Sequence, residues 1–117
     1  MRKTYGCPVE LSLDLLGGKW KSVILARLKD SPLSYGELRR LIPDLSDKVL
    51  TERLKGLEAR GLLTRTRSSS PGQPARLRYA LTERGKSLRP VLEALYSWGA
   101  QAATDLNLQI RPTAARE

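Results

Sequence analysis

The 117-residue chain carries 21 lysines and arginines against 12 acidic residues, a formal net charge of +9, with one cysteine and no histidine. Without histidine or a second cysteine, Ser-His-Asp and Cys-His catalysis, intrachain disulfides and the usual zinc frameworks are excluded, and so large a positive excess points to a polyanionic partner. Hydrophobic residues make up 40% of the chain, leucine dominates them and phenylalanine is absent, which favours helices with aliphatic seams over a β-sandwich.

No acidic pair stands in an apolar setting that would separate two carboxyl pKa values, so no enzyme, metal or cofactor is expected. No apolar run approaches the roughly 18 residues of a membrane span, and Met1-Arg2-Lys3 is not followed by a signal-peptide core, so a cytoplasmic protein is expected. The length suits one domain over residues 1–117, with a core from about 7 to 106 and flexible tails at 1–6 and 107–117.

Cys7-Pro8 opens the first predicted helix, since proline suits a first-turn position whose N–H has no partner, and Gly17-Gly18 ends it. Its leucines fall on several sides and predict burial against more than one neighbour. Lys19 to Asp30 reads as a second helix, with Trp20, Ile24 and Leu28 stepping by four into the core. Ser31-Pro32 breaks it. Ser34 and Glu37 have the spacing of a capping box, which starts a third helix carrying Leu38, Leu41 and Ile42 inward and Arg39 and Arg40 outward, ending at Pro43.

Leu45 to Gly61 is the stretch the rest serves. Ser46 is a good N-cap and Gly61 suits a left-handed position just past the end. Between them Leu50, Leu54 and Leu57 share one face, while Lys48, Thr51, Glu52 and Lys55 cluster on the other. Such a helix is roughly 20 Å long and of a diameter that a B-form major groove admits. Two short helices joined by a tight turn, the second with a capped start and a polar face, make a helix-turn-helix.

Leu62 to Arg67 and Ala75 to Leu81 alternate apolar and polar around a Ser/Pro/Gly-rich tip, a β-hairpin pattern. From Ala59 to Thr82 there is no acidic residue, while Arg60, Arg65, Arg67, Arg76 and Arg78 all lie there. Arginine's planar fork suits phosphate, so Arg65, Arg67, Arg76 and Arg78 are candidate DNA-backbone contacts. Thr82 caps a last helix in which Leu88, Val91, Leu92, Leu95, Trp98, Gly99, Ala102 and Leu106 form one stripe, with a kink or a fresh start expected at Pro90. A single helix from Thr82 to Leu106 would reach roughly 37 Å, longer than such a domain is wide. Leu88, Val91, Leu92, Leu95 and Trp98 are therefore expected to pair with a second copy. The predicted fold is mostly α with a small β-hairpin wing.

These residues resemble the HxlR-type family of bacterial transcriptional regulators, which are MarR-like winged helix-turn-helix proteins. The likeness runs from about Cys7 to Gly99: Cys7-Pro8-Val9, Gly17-Gly18-Lys19-Trp20, Glu37-Leu38-Arg39-Arg40, then Ser46, Lys48, Leu50, Thr51 and Leu54, and finally Tyr79-Ala80-Leu81-Thr82 with Gly85. The resemblance implies a homodimer joined through its first and last helices. It would place two recognition helices in successive major grooves of an inverted-repeat operator, with wings on the flanking backbone and repression as the expected outcome. It also implies DNA contacts from Ser46, Lys48 and Thr51, to which the helix face adds Lys55, with Arg39 and Arg40 from the preceding helix. The hairpin departs from the pattern at Arg78, where relatives commonly have an acidic residue.

Two roles are open to Cys7. A thiol at a helix N-terminus is in a setting that favours thiolate, and some proteins this chain resembles use a cysteine here to respond to oxidants or electrophiles, while others answer to small organic ligands. Alternatively, Cys7 is a small packing residue under the first helix. A general basic RNA- or chromatin-binding module is the alternative to a regulator, although RNA readers usually present aromatic stacking surfaces.

Overall fold

A computed structural model describes residues 4–69, 71–72 and 74–111. The chain order is α1 (Pro8–Leu16), α2 (Lys21–Leu28), α3 (Tyr35–Leu41), α4 (Asp47–Ala59), β1 (Leu63–Ser68), β2 (Arg76–Leu81), α5 (Glu83–Lys86) and α6 (Arg89–Asp105). One aliphatic cluster holds it together: Ile24, Leu25, Leu38, Ile42, Leu50 and Leu57 are fully buried, joined by Leu45, Leu54 and Leu62. Each helix of the α2–α4 trio contributes the apolar positions that its 3.6-residue period puts on one side.

The starts of these helices are built locally. Ser34 Oγ accepts from the Glu37 N–H at 3.1 Å and Glu37 Oε1 accepts from the Ser34 N–H at 2.7 Å, completing the capping box. Ser46 accepts from the Val49 N–H at 3.2 Å, and Thr82 accepts from the Gly85 N–H at 3.1 Å. Past the end of α4, Gly61 takes a φ of +77° and two bonds close the helix: Gly61 N–H to the Glu58 carbonyl at 3.0 Å and Leu62 N–H to that of Leu57 at 3.0 Å. This is a Schellman stop, with buried Leu57 and Leu62 as its apolar contact.

The hairpin pairs antiparallel from Leu63 opposite Leu81 to Ser68 opposite Arg76. Its root is pinned by Leu33, which exchanges two backbone bonds with Tyr79 at 3.0 and 2.7 Å. That bridge carries no sequence signature, because one residue ahead of a helix has no alternation to read.

Several expectations are corrected. The second helix is shorter than Lys19 to Asp30, since Lys19 and Trp20 are used in the turn that follows Gly18 at φ +88°. At Pro90 the expected fresh start is found: the chain turns at Ser87-Leu88 and Pro90 sits in the first turn of a new helix, where its lack of an N–H costs nothing. Within the protomer the first helix buries one side. Only Leu16 is buried, while Val9, Leu11 and Leu13 are exposed.

Parts of the expected tails make hydrogen bonds. The Tyr5 hydroxyl bonds the Asp14 carboxylate, and the Gly6 N–H donates to Glu10 Oε1 at 2.8 Å. Asn107, at φ +56°, closes α6 with Leu108 N–H on the Ala103 carbonyl at 2.8 Å. Residues 1–3 and 112–117 lie outside the described residues. Among the described residues no helix is long and apolar enough to cross a membrane.

Candidate nucleic-acid interface

The polar face of α4 stands clear of the body. Lys48, Thr51, Glu52 and Lys55 are exposed, and the opposite leucines Leu50, Leu54 and Leu57 are fully inside. Ser46, at the cap, is exposed too. The turn into this helix is braced from α3. Arg39 Nε lies 2.9 Å from Asp47 Oδ1, and its guanidinium also donates to the Leu45 carbonyl. Asp47 sits in the first turn of α4, where the helix dipole favours a carboxylate.

Arg39 is thus half-buried and spent on the turn, rather than turned outward as its sequence position implied, while Arg40 is exposed. Tyr35 was not anticipated. Its hydroxyl donates to Asp47 Oδ1 at 2.9 Å and stands 3.3 Å from Thr51 Oγ1, from which it can accept. It therefore orients a hydroxyl on the outer face of α4. These contacts span 12 and 16 residues of sequence, too far for periodicity to reveal.

In the wing the four arginines divide by register. Arg65 and Arg67 lie opposite Tyr79 and Leu77, while Arg76 and Arg78 lie opposite Ser68 and Thr66 on the other face. Arg67 and Arg76 are exposed, and Arg65 is held at 3.0 Å by Glu58 while keeping half its side chain in solvent. Arg78 differs, with a side chain only 13% exposed. Its Nη1 donates to the Ser68 carbonyl at 3.0 Å and to Ser68 Oγ at 3.1 Å, and its Nε is 3.8 Å from Glu37 Oε1. The residue by which this hairpin departs from the familiar pattern fastens the wing to the start of α3 and is not displayed on the surface.

Glu37 is held below the usual carboxylate range, first by the Ser34 N–H and then by the Ser34 hydroxyl, with Arg78 and Arg76 assisting against partial burial. A depressed carboxyl contributes stability that is present above its unfolded pKa and lost as pH falls through the folded value. Glu37→Gln keeps an acceptor for the capping box but cannot titrate. Its unfolding midpoint is expected to change less than that of the wild type between neutral pH and pH of about 3, measured by urea denaturation; equal slopes would contradict this.

Cys7 is the N-cap residue of α1, exposed, and its side chain caps nothing. Within the protomer, Cys7 is therefore not packed under the first helix. The expected pairing stripe divides as well. Leu92 is in the protomer's own core and Leu88 is half-buried against it, leaving Val91, Leu95 and Trp98 exposed on α6. Helical spacing marks positions 88, 91, 92, 95 and 98 as apolar but does not separate the two faces they fill.

A family model described as HxlR-like helix-turn-helix matches residues 15–106. The chain belongs to the HxlR family. It is 45% identical over 95 residues to an uncharacterised HTH-type transcriptional regulator of Methanothermobacter thermautotrophicus, covering 81% of this chain and 71% of that one. Among solved structures it is similar to the redox regulator HypR in its reduced form, with a TM-score of 0.74 and 34% identity over 86% of this chain and 96% of that one. It is also similar to quinone-bound YodB from B. subtilis, with a TM-score of 0.68 and 34% identity over 81% and 99% of the two chains. As an HxlR-type protein the chain is a winged helix-turn-helix transcriptional regulator. Its α3–α4 pair is the helix-turn-helix and its β1–β2 hairpin the wing.

Proposed function

We propose that this HxlR-type regulator binds an inverted-repeat operator as a homodimer in the cytoplasm, one α4 in each of two successive major grooves, and represses by occupying the site. What supports this is the exposed polar face of α4, capped at both ends and flanked by exposed wing arginines. Lys48 and Lys55 offer ammonium groups to guanine edges or phosphates, Thr51 a hydroxyl and methyl, and Ser46 a position beside the backbone. Arg40, Arg67 and Arg76 serve the flanking phosphates, with Arg65 beside them. Arg39 and Arg78 hold the turn and the wing in place. The exposed apolar residues of α1 and α6 are the surfaces that a second copy would cover.

Lys48→Ala removes one charge-assisted contact from each half-site and is expected to weaken operator binding about a hundredfold, while leaving the dimer intact by sedimentation. Unchanged affinity would remove Lys48 from the interface.

The exposed Cys7 favours a second layer of control, as does similarity to a protein described as a redox regulator and to one solved with quinone bound. The Cys7 sulfur would add to an electrophile such as a quinone, forming a carbon–sulfur bond as the thiol proton passes to the acceptor. Alternatively, two Cys7 thiols from two subunits would give up two electrons and two protons to an oxidant and form an intersubunit disulfide. Quinone treatment is expected to change operator affinity in the wild type and not in Cys7→Ser. An equal response in both would rule out Cys7 as the sensor.

A further inference from the structure

A cleft on the flank of α4 plays no part in this scheme. Lys21, Arg53 and Arg60 line it with Glu52, Gly56 and Ala59, around a volume of about 410 Å³. All three cations are half-buried. The Asp14 carbonyl accepts from Lys21 Nζ at 3.3 Å and from Arg60 Nη1 at 3.1 Å, so a single acceptor fixes two like charges side by side. Arg53 adds a third, and its guanidinium makes no hydrogen bond or ion pair to the described residues. The Lys21 ammonium is held below its usual range by burial first and then by Arg60, with the Asp14 charge opposing and Arg53 adding to the shift.

Gly56 is a second and independent observation. A glycine inside a helix costs about 1 kcal/mol relative to alanine. Here a Cβ would meet nothing within 4 Å, and the backbone does not lie in the left-handed region. Neither conformation nor packing requires the glycine, and what its missing side chain leaves open is the cleft. Arg53, Gly56 and Arg60 follow one another at i, i+3 and i+7, and at 3.6 residues per turn they lie roughly 140° around α4 from Lys48, Thr51 and Lys55.

We propose that this cleft binds a phosphate group, gripped by Lys21, Arg53 and Arg60 against the side of the recognition helix. Two arginine forks and an ammonium match the several acceptor oxygens of a phosphate, and its charge relieves their mutual repulsion. The phosphate is either part of the backbone of bound duplex or part of a free phosphate-bearing molecule. Its free-phosphate form does not depend on operator recognition, because inorganic phosphate tests it without DNA, whereas its duplex form rests on the DNA binding proposed above.

Inorganic phosphate, titrated into the full chain against potassium chloride at matched ionic strength, is followed by the thermal midpoint. The salt dependence of duplex binding is measured beside it, for the wild type, Arg53→Gln and Gly56→Leu. The Gly56→Leu variant keeps every charge and improves helix propensity while filling the cleft. A free-phosphate site gives a saturable rise with phosphate beyond chloride, at least about tenfold weaker in Arg53→Gln and lost in Gly56→Leu. A duplex-phosphate site gives no saturable phosphate effect, but Arg53→Gln lowers the log–log salt slope by about one and Gly56→Leu weakens duplex binding. The proposal is overturned if phosphate behaves as chloride does and both variants bind duplex like the wild type, or if a phosphate effect survives unchanged in both.

Discussion

A chain carrying Leu95→Glu and Trp98→Glu is expected to sediment as a monomer and to bind an inverted-repeat duplex roughly 10²–10⁴ times more weakly than the wild type, because linking two half-site contacts gains that much without any new contact. Trp98 is 76% exposed and Leu95 53% exposed within the protomer, and Val9 and Leu13 on α1 are exposed as well. Covering one such large side chain contributes about 1.5–3 kcal/mol, which a carboxylate reverses. The described chain is also extended, with a radius of gyration of 15.4 Å, against about 13 Å for a self-contained domain of this length. Leu92 faces the protomer's own core, so the two substitutions leave the fold intact. Analytical ultracentrifugation with circular dichroism checks this; a folded dimer would contradict the assignment of this face.

Gly85→Ala is expected to destabilise the protomer by about 1–3 kcal/mol, the cost of overpacking, and to lower the thermal midpoint by several degrees. A Cβ at Gly85 would lie 2.3 Å from the Leu62 carbonyl oxygen and 3.2 Å from the Leu81 Cβ. The Leu62 oxygen is not free to move, since it accepts from the Thr82 N–H at 3.1 Å, and the Thr82 hydroxyl donates to the Gly61 carbonyl at 2.6 Å. Alanine would push α5 off the corner where α4 ends and β1 begins, where the wing is set relative to the recognition helix. An unchanged midpoint would show that this corner yields without cost.

Local chemistry was the most legible part of the molecule. Ser34 with Glu37, Ser46, Gly61 and Thr82 each act within a few residues of themselves, so caps and stops were readable from spacing, and Leu50, Leu54 and Leu57 gave away the buried side of α4. Polar partnerships across the chain were not readable. Arg39 and Arg78 read as surface cations, because nothing in their neighbourhoods indicates that Asp47 and the Leu45 carbonyl, or Ser68 and Glu37, would claim them. Tyr35 went unnoticed for the same reason. A period of two groups Arg65 with Arg67 and Arg76 with Arg78, but that the two pairs take opposite faces follows from the register, Ser68 opposite Arg76, which alternation within a strand does not state. On α6 the apolar spacing was right while its partition was hidden, since periodicity states that a face is apolar and not what covers it.

The most direct measurement is fluorescence anisotropy of a labelled duplex taken from DNA upstream of the protein's own or adjacent gene, beside a scrambled duplex, at two salt concentrations. Sequence-specific regulation predicts that the native duplex binds at least about a thousandfold tighter at near-physiological salt, with Lys48→Ala closing part of that gap. Equal binding of both duplexes, weakening together as salt rises, would contradict specific recognition at that site and leave only the attraction of a basic surface for a polyanion.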